Sequence, residues 1–415
     1  MGKIVIVSCV FPPEPVVSAT LSYDIAMRLC ALGKEVVVVC PRPSRPLNYA
    51  FDESKKDYPF EQVVLDSYVY PESRILGRTR ESYSFGKAVE RFFKHYPHPI
   101  DAVYANTWPL FSQRSTAKSA RKRGIPFFIH EQDIYPESYC AKLPGWLGAA
   151  VYKLLLPIDA YVQRTATKIF AISPAMIPYL SKSRRISPER YVLARNWQND
   201  DTFISSYKPL SGKGVVCEIM YLGNINPTAN VTMLVSAVSK LDRNKFHLSI
   251  IGNGPDQEIC RKMDEEAGIG IAFGTVTPSE VAAKQSEADI LVLCLKKGVA
   301  QTATPSKLTA YMLTGRPIVA SVDTDSDCAD IIRSTGCGIV VEPDDEDQLR
   351  EAIVSLSEMS ESALRQMGAS AFSYAKVHLS RESNLKIVTD AIVAGAERHE
   401  GVIIGKKQEG ARWSY

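Results

Sequence analysis

Short apolar runs rich in Val and Ile alternate with amphipathic helical stretches along almost the whole chain. No other feature constrains the fold as much. A run that is apolar at every position is covered on both faces, and two such strands joined through a helix lie parallel. The first example is a strand at residues 3–9 (KIVIVSC) and a turn at 11–19 (FPPEPVVSA). A helix over about 18–32 follows, with Leu21, Ile25, Leu29 and Leu32 on one face. Gly33 stops it, and a second strand runs over 35–40. Further strands are expected at 62–65, 102–105, 126–130, 168–172 and 191–195. After them the pattern resumes at 217–222, 247–252, 269–273, 290–295, 317–321 and 338–341. In this second half the intervening helices are read at 230–241, 256–267, 280–288, 307–314 and 346–356. Residues 195–213 are polar and lose periodicity, so they read as a linker between two α/β halves.

Composition limits the partners. The 415 residues suit two domains, and 45% apolar with 23% charged residues is the balance of a soluble globular protein. A formal charge of +3 does not by itself imply nucleic acid, and none is expected as a partner. Nine cysteines are dispersed, with no CxxC pair and no Cys/His cluster at metal spacing, which points to a reducing compartment. The opening residues enter a strand directly, and no run of about 18 apolar residues occurs. The expected location is the cytoplasm, peripheral on the inner face of the cytoplasmic membrane.

Chemistry concentrates in residues 298–321, GVAQTATPSKLTAYMLTGRPIVAS. A small-residue loop after a buried strand leads into a helix, whose free N–H groups and dipole make an anion site. Lys307 adds a full positive charge at that helix start. An ordinary strand–loop–helix turn with a solvated lysine fits the same residues. Gly223 likewise follows a buried strand, where a glycine lets backbone approach a phosphate closely; a tight turn without ligand is the alternative.

A series of motifs in order resembles family 4 of the retaining, nucleotide-sugar-dependent glycosyltransferases. These are the loop at 11–19, IHEQDIYPE at 129–137, ISPAM at 172–176, YLGN at 221–224, IIGNGP at 250–255, EAD at 287–289 and the segment from Thr304 to 321. GCG at 336–338 and EP at 342–343 close the series. The resemblance covers nearly the whole chain and is closest to capsule, O-antigen and exopolysaccharide enzymes with a PSK donor loop. It implies an α/β, GT-B fold of two Rossmann-like doubly wound domains facing a cleft. The first spans 1–205 and takes the acceptor, with a C-terminal helix at about 380–400 packing back on it. The second, 206–379, binds the nucleotide-sugar.

The implied reaction moves a sugar from a nucleotide-diphospho-sugar, UDP in this reading, to a polyprenyl-diphosphate-linked saccharide, with retention and without metal. The resemblance assigns Ser18, Gly223, Asn224, Asn230, Gly274, Thr304, Pro305, Ser306, Lys307 and Leu308 to the donor. Lys307, with loop N–H groups, faces the leaving diphosphate. His130 and Asp133 are placed near the reacting centre; alternatively His130 is a strand-end group capping neighbouring backbone. The other histidines read as structural.

Two departures stand out. Relatives carry Arg and Lys just after the 223 turn, where this chain reads INPTANVT. Their two donor-loop glutamates, eight positions apart, fall here at Thr302 and Ala310. Arg316 is read as a solvated helix-end charge, a helper to the diphosphate in the alternative. Asp323-Thr324-Asp325 has the spacing of a metal motif but reads as a helix N-cap. Residues 143–164, with Trp146, Tyr152 and Tyr161 among basic residues, fit either an anionic membrane interface or a buried core helix. A catalytically silent nucleotide-sugar-binding subunit and a UDP-sugar epimerase remain as competing functions.

Overall fold

The computed structural model describes residues 2–412 except 48, 50, 52–56, 73, 107–108, 213 and 301–305, with side chains as far as residue 401. The chain forms two compact units, Met1–Asn196 with Asn384–Tyr415, and Trp197–Ser383.

The first unit is built on a seven-stranded sheet. Its strands are β1 (Lys3–Val7), β2 (Val36–Pro41), β3 (Glu61–Leu65), β4 (Ile100–Asn106), β5 (Phe127–Glu131), β6 (Lys168–Ala171) and β7 (Tyr191–Leu193), in the order β3-β2-β1-β4-β5-β6-β7. The second unit has six strands: β8 (Cys217–Leu222), β9 (Phe246–Ile251), β10 (Ala272–Gly274), β11 (Ile290–Cys294), β12 (Ile318–Ser321) and β13 (Gly338–Val341), in the order β10-β9-β8-β11-β12-β13. Every pairing is parallel. The central strands β1, β2, β4, β5 and β11 are buried throughout apart from Lys3, as parallel strands covered by helices must be, while edge strand β3 alternates toward solvent. Both sheets reverse their winding once, between β1 and β4 and between β8 and β11. In such sheets ligands bind beyond the carboxyl ends of the strands flanking the reversal.

One expectation is corrected. Residues 195–213 are not a free linker. They contain the helix Asp201–Ser206, and Trp197, Phe203 and Leu210 are buried. Tyr207 stacks on Phe372 with ring centroids 3.7 Å apart. These anchors are spaced irregularly, so no periodicity announces them. In the C-terminal helix Arg381–Arg412 the buried hydrophobic positions among the described residues are Leu385, Val388, Ile392 and Ala396, spaced by three or four, and Ile387 is exposed. Within the first unit this helix is tied by three contacts. Asn384 Oδ1 accepts the Arg195 N–H at 2.8 Å, Glu397 pairs with Lys34 at 2.9 Å, and Gly395 lies against the buried ring of Phe128.

A Cβ on Gly395 would sit 2.4 Å from Phe128 Cζ, and that ring is fully buried. Gly395→Val is expected to destabilise the protein by roughly 1–3 kcal/mol through overpacking. Gly401, with nothing near its Cβ position, should accept alanine within about 0.5 kcal/mol. Chemical denaturation of the two variants checks this; equal stability would remove the helix–sheet contact.

Candidate functional site

The carboxyl edge of the second sheet is assembled by close backbone approach. Gly223 and Gly252 both have φ +147°, a conformation that favours glycine. The Gly223 N–H donates to Ile251 O at 2.9 Å and the Gly252 N–H to Gly274 O at 2.8 Å, so the ends of β8, β9 and β10 are laced together. A Cβ on Gly252 would lie 1.9 Å from Gly223 O, and one on Gly223 would lie 2.1 Å from Lys307 Cε. Lys307 stands in the first turn of the helix Ser306–Thr314, and its stem lies against Gly223. Its ammonium donates to Tyr221 Oη and sits 4.2 Å from that ring's centroid. Tyr221 Oη–H in turn donates to Asn224 O at 2.6 Å. One turn along the same helix, Tyr311 Oη accepts the Leu222 N–H at 3.0 Å and donates to Leu222 O at 3.1 Å, fixing the strand end to the helix.

Burial pushes the Lys307 ammonium down to about 8, with Cys294 opposing the shift. A desolvated cation in the first turn of a helix is stabilised by an incoming anion such as diphosphate.

The loop before this helix is held from behind. Asp323, buried, accepts the Gly298 N–H at 2.7 Å and the Ala300 N–H at 3.2 Å. This corrects the N-cap reading of Asp323-Thr324-Asp325: Ser326 is the N-cap, accepting Ala329 N–H at 3.3 Å. Thr304 and Pro305, with Thr302, lie outside the described residues. Ser306 and Asn224 are exposed at this edge. Gly274 contributes its carbonyl to the lacing. Leu308 is fully buried, so its side chain belongs to the core and not to a ligand site. Asn230 is buried in a left-handed conformation and donates to Asp344 Oδ1 at 2.7 Å, so its amide serves the protein interior. Arg316 is not solvated. It is buried, donating to Ala288 O at 2.9 Å, Ser286 O at 2.7 Å and Lys208 O at 3.0 Å. Ala310, at one missing glutamate position, is also buried. Among the described residues no group of three or more His, Cys, Asp or Glu gathers as a metal site.

In the first unit, Ser18, Asn106 and Asp133 line a pocket of about 370 Å³ beyond the ends of β1 and β4. Ser18 Oγ donates to Gln132 Oε1 at 2.5 Å, and Asp133 is exposed. His130 is the main correction. It is fully buried, Nε2–H donates to Ala194 O at 3.1 Å, and Tyr104 Oη–H reaches Nδ1 at 3.2 Å. Burial holds it down at about 4, so it stays neutral and joins β5 to the end of β7. This matches the backbone-capping alternative.

Sequence reasoning missed the group that holds the loop carrying Asp133. Arg184 is fully buried and donates to Asp159 Oδ2 at 2.8 Å, Glu137 Oε2 at 2.8 Å and Tyr135 O at 2.7 Å. Beside it Glu131 is buried, and its Oε1 has no hydrogen-bond partner among the described residues. Burial, then the Asp159 carboxylate, raises its pKa well above the usual range against the pull of Arg184. Glu131 therefore favours the fold below its unfolded pKa, and that contribution is lost as pH rises toward the folded value. Glu131→Gln should abolish this dependence. Between about pH 4.5 and the folded value, wild-type stability should fall relative to the variant by up to about 1.4 kcal/mol per pH unit. Parallel stability curves in urea across pH would refute a protonated Glu131.

Comparison with known proteins gives these two edges a context. The family described as glycosyl transferases group 1 matches residues 217–359, and a glycosyl transferase 4-like domain matches residues 18–197. The probable glycosyltransferase WbjE of Pseudomonas aeruginosa is 22% identical over 276 residues, 64% of this chain and 68% of that protein. Among solved structures, Anabaena HepE in complex with UDP superposes with TM-score 0.64 at 13% identity, covering 94% of this chain and 100% of HepE. WaaG, a glycosyltransferase involved in lipopolysaccharide biosynthesis, gives 0.62 at 18% identity, covering 94% and 99%. At these identities the structures speak for the fold, two parallel α/β units of the GT-B kind. The two sequence families divide the chain much as its sheets do, and with them the chain belongs to the group 1 glycosyltransferases.

Proposed function

We propose that this enzyme transfers a sugar from a UDP-sugar to a polyprenyl-diphosphate-linked saccharide, retaining the anomeric configuration. The observation that carries the donor half is the Lys307 ammonium, desolvated against Gly223 at a helix N-terminus. As the glycosidic bond to the diphosphate breaks, negative charge grows on the leaving oxygen. A preorganised cation and backbone N–H groups stabilise that charge more than the ground state, which lowers the barrier. Gly223, Asn224, Gly274, Thr304, Pro305 and Ser306 are assigned to the same donor site, and Asp133 to the sugar-transfer centre. UDP as the nucleotide is supported by HepE, solved with UDP and with UDP-glucose. Retention rests on the family resemblance. A polysaccharide acceptor is supported by WaaG.

Membrane contact is the second part of the reading. In the helix Gly145–Thr165, Trp146, Ala149, Ala150, Lys153, Leu154 and Pro157 form one exposed face, while Gly148, Leu155, Asp159 and Ala160 are buried. Trp146 is 78% and Leu154 70% exposed. The helix thus has a core face and a mostly apolar outer face that carries Lys153, with Lys142 exposed just ahead of the helix. This pattern suits a helix lying on an anionic bilayer. No helix among the described residues is long and apolar enough to cross a membrane.

Lys307→Met is expected to lose about a hundredfold in kcat/KM with a UDP-sugar and lipid-extract acceptor. Stability should hold or rise, because a desolvated ammonium is removed. UDP affinity of the wild type should weaken as pH rises past about 8, where free Lys307 loses its proton, and calorimetry at pH 7 and 9 reads this. Unchanged turnover in the variant would take Lys307 out of the site, and a wild type with no turnover at all would favour a silent subunit.

The double variant Trp146→Ser, Leu154→Ser should fold, since both side chains are exposed. Removing two buried apolar contacts, roughly 3 kcal/mol, should weaken binding to anionic vesicles on the order of a hundredfold. Vesicle sedimentation checks it; binding equal to wild type would place the contact elsewhere.

A further inference from the structure

One layer of the first unit is charged far out of proportion to the chain. The helices Ile75–His95, Leu110–Arg123 and Gly145–Thr165 follow β3, β4 and β5 and lead to β4, β5 and β6. These strands step in one direction across the sheet, so right-handed crossovers put all three helices on one face. Leu110–Arg123 packs between the other two. Each runs back from the carboxyl edge of the sheet to its amino edge, as helices between parallel strands do.

The three helices hold twelve Lys and Arg against three Asp and Glu. That is a formal +9 in a chain whose total is +3, so the remainder carries −6. The three carboxylates do not offset the outer face. Glu81 and Asp159 are buried, and Glu90 is half-buried and paired with Lys87 at 3.3 Å. The cations, in contrast, face water: Arg91, Lys94, Arg114, Lys118, Arg121 and Lys122 are exposed. Arg114, Lys118 and Arg121 fall four and three residues apart, on one stripe of the middle helix. Like charges gathered on one layer repel, which opposes folding unless an anionic surface answers them.

Apolar side chains stand at one end of the same layer. Leu76, in the first turn of its helix, is 85% exposed, and Trp146 holds the same place in the helix Gly145–Thr165. Tyr83, two turns beyond Leu76, is exposed as well. The core side of that helix is supplied by Phe85, Val89 and Phe92, so Leu76 and Tyr83 are not needed for packing. Arg91 lies fifteen residues beyond Leu76, roughly 22 Å along the helix. The layer is therefore apolar towards the carboxyl edge of the sheet and cationic over the rest. A bilayer offers both partners, hydrocarbon beneath a sheet of phosphates, whereas an acidic soluble protein or a second copy of this chain answers the charge alone.

We propose that the cations of the helices Ile75–His95 and Leu110–Arg123 form the electrostatic platform on which the enzyme docks to an anionic bilayer, with Leu76 inserted as an apolar anchor. The inference deepens the membrane reading of the helix Gly145–Thr165 and rests on it for Trp146 alone. It also sets the orientation, carboxyl edge towards the lipid. The pocket beyond β1 and β4 is lined by Ile75 and Lys142, one next to Leu76 and the other four residues ahead of Trp146. Docking on this edge brings that pocket to the headgroups.

Vesicle flotation of the full chain tests the platform. The probes are phosphatidylcholine vesicles and vesicles in which about one-third of the lipid is phosphatidylglycerol. The wild type is expected to bind the anionic vesicles at least tenfold more tightly than the neutral ones. Arg91→Gln, Arg114→Gln and Lys118→Gln combined should weaken that binding at least tenfold, with UDP affinity and stability in urea unchanged. Arg91→Lys, Arg114→Lys and Lys118→Arg combined should bind within about threefold of wild type, since charge is kept. Leu76→Ser should lower the binding that persists at high salt, where charge attraction is screened. Wild-type affinity in the triple glutamine variant overturns the platform; if Trp146→Ser, Leu154→Ser still weakens binding, the reading of the helix Gly145–Thr165 stands without it. Weakening in the triple variant, with none in Trp146→Ser, Leu154→Ser, supports the platform and removes that helix instead. Equal affinity of the wild type for both vesicles overturns the inference, and so does self-association that only the triple variant abolishes, which assigns the face to a second copy.

Discussion

The stem of Lys307 occupies the space that any side chain at position 223 would need, and much of the second unit's edge is arranged around that contact. Gly223 is required twice, once for its backbone conformation and once for the lysine above it. The same crowding brings Gly252 under Gly223 O, so the ends of two neighbouring strands meet with no side chain between them. Tyr221 and Tyr311 then do complementary work: one receives the ammonium, the other closes the end of β8 onto the helix that carries the lysine. The consequence is a cation held in a partly dry place, less basic than in water, at the N-terminal end of a helix. A cation in such a place gains from an incoming anion, which is the physical basis of the donor site proposed for it.

The first unit solves a different problem on the same topology. It holds ions in matched sets, Arg45 and Arg78 with Glu81, and Arg184 with Asp159 and Glu137. Removing one partner of such a set leaves a buried charge uncompensated, so each set fixes its loop strongly. Arg184 reaches the Tyr135 carbonyl and Glu137, and so sets the course of the segment that presents Asp133. The two units thus offer unlike surfaces, one shaped by backbone N–H groups and a single lysine, the other by side chains and aromatic rings.

Several polar residues that looked available are occupied. His130 sits at the end of an interior strand, between Asn106 and Phe170 in register, where helices cover both faces of the sheet. Its hydrogen bonds close within the fold, and its burial keeps it neutral. Arg316 is drawn inward by carbonyls, those of Ser286, Ala288 and Lys208 among them. Asp323 holds the backbone of residues 298 and 300. In each case at least one partner is backbone, which no complementary side-chain type in the sequence marks.

The sequence by itself determined the parallel α/β architecture, because strands apolar at every position and joined by helices have almost no other way to be buried. It also determined that a lysine would open a helix after an interior strand, and that glycines would end β8 and β9. Spacing even placed Lys307 and Tyr311 on one helical face. Only the tertiary structure decided which polar groups are left for a ligand. The carbonyl of Ala194 claims His130, that of Ser286 claims Arg316, and the stem of Lys307 claims the space over Gly223. These pairings join residues tens of positions apart and depend on how the winding order brings strand ends side by side. The pattern of apolar residues specifies burial, but whether a buried polar group is spent on the fold or kept for chemistry depends on which partners lie within reach.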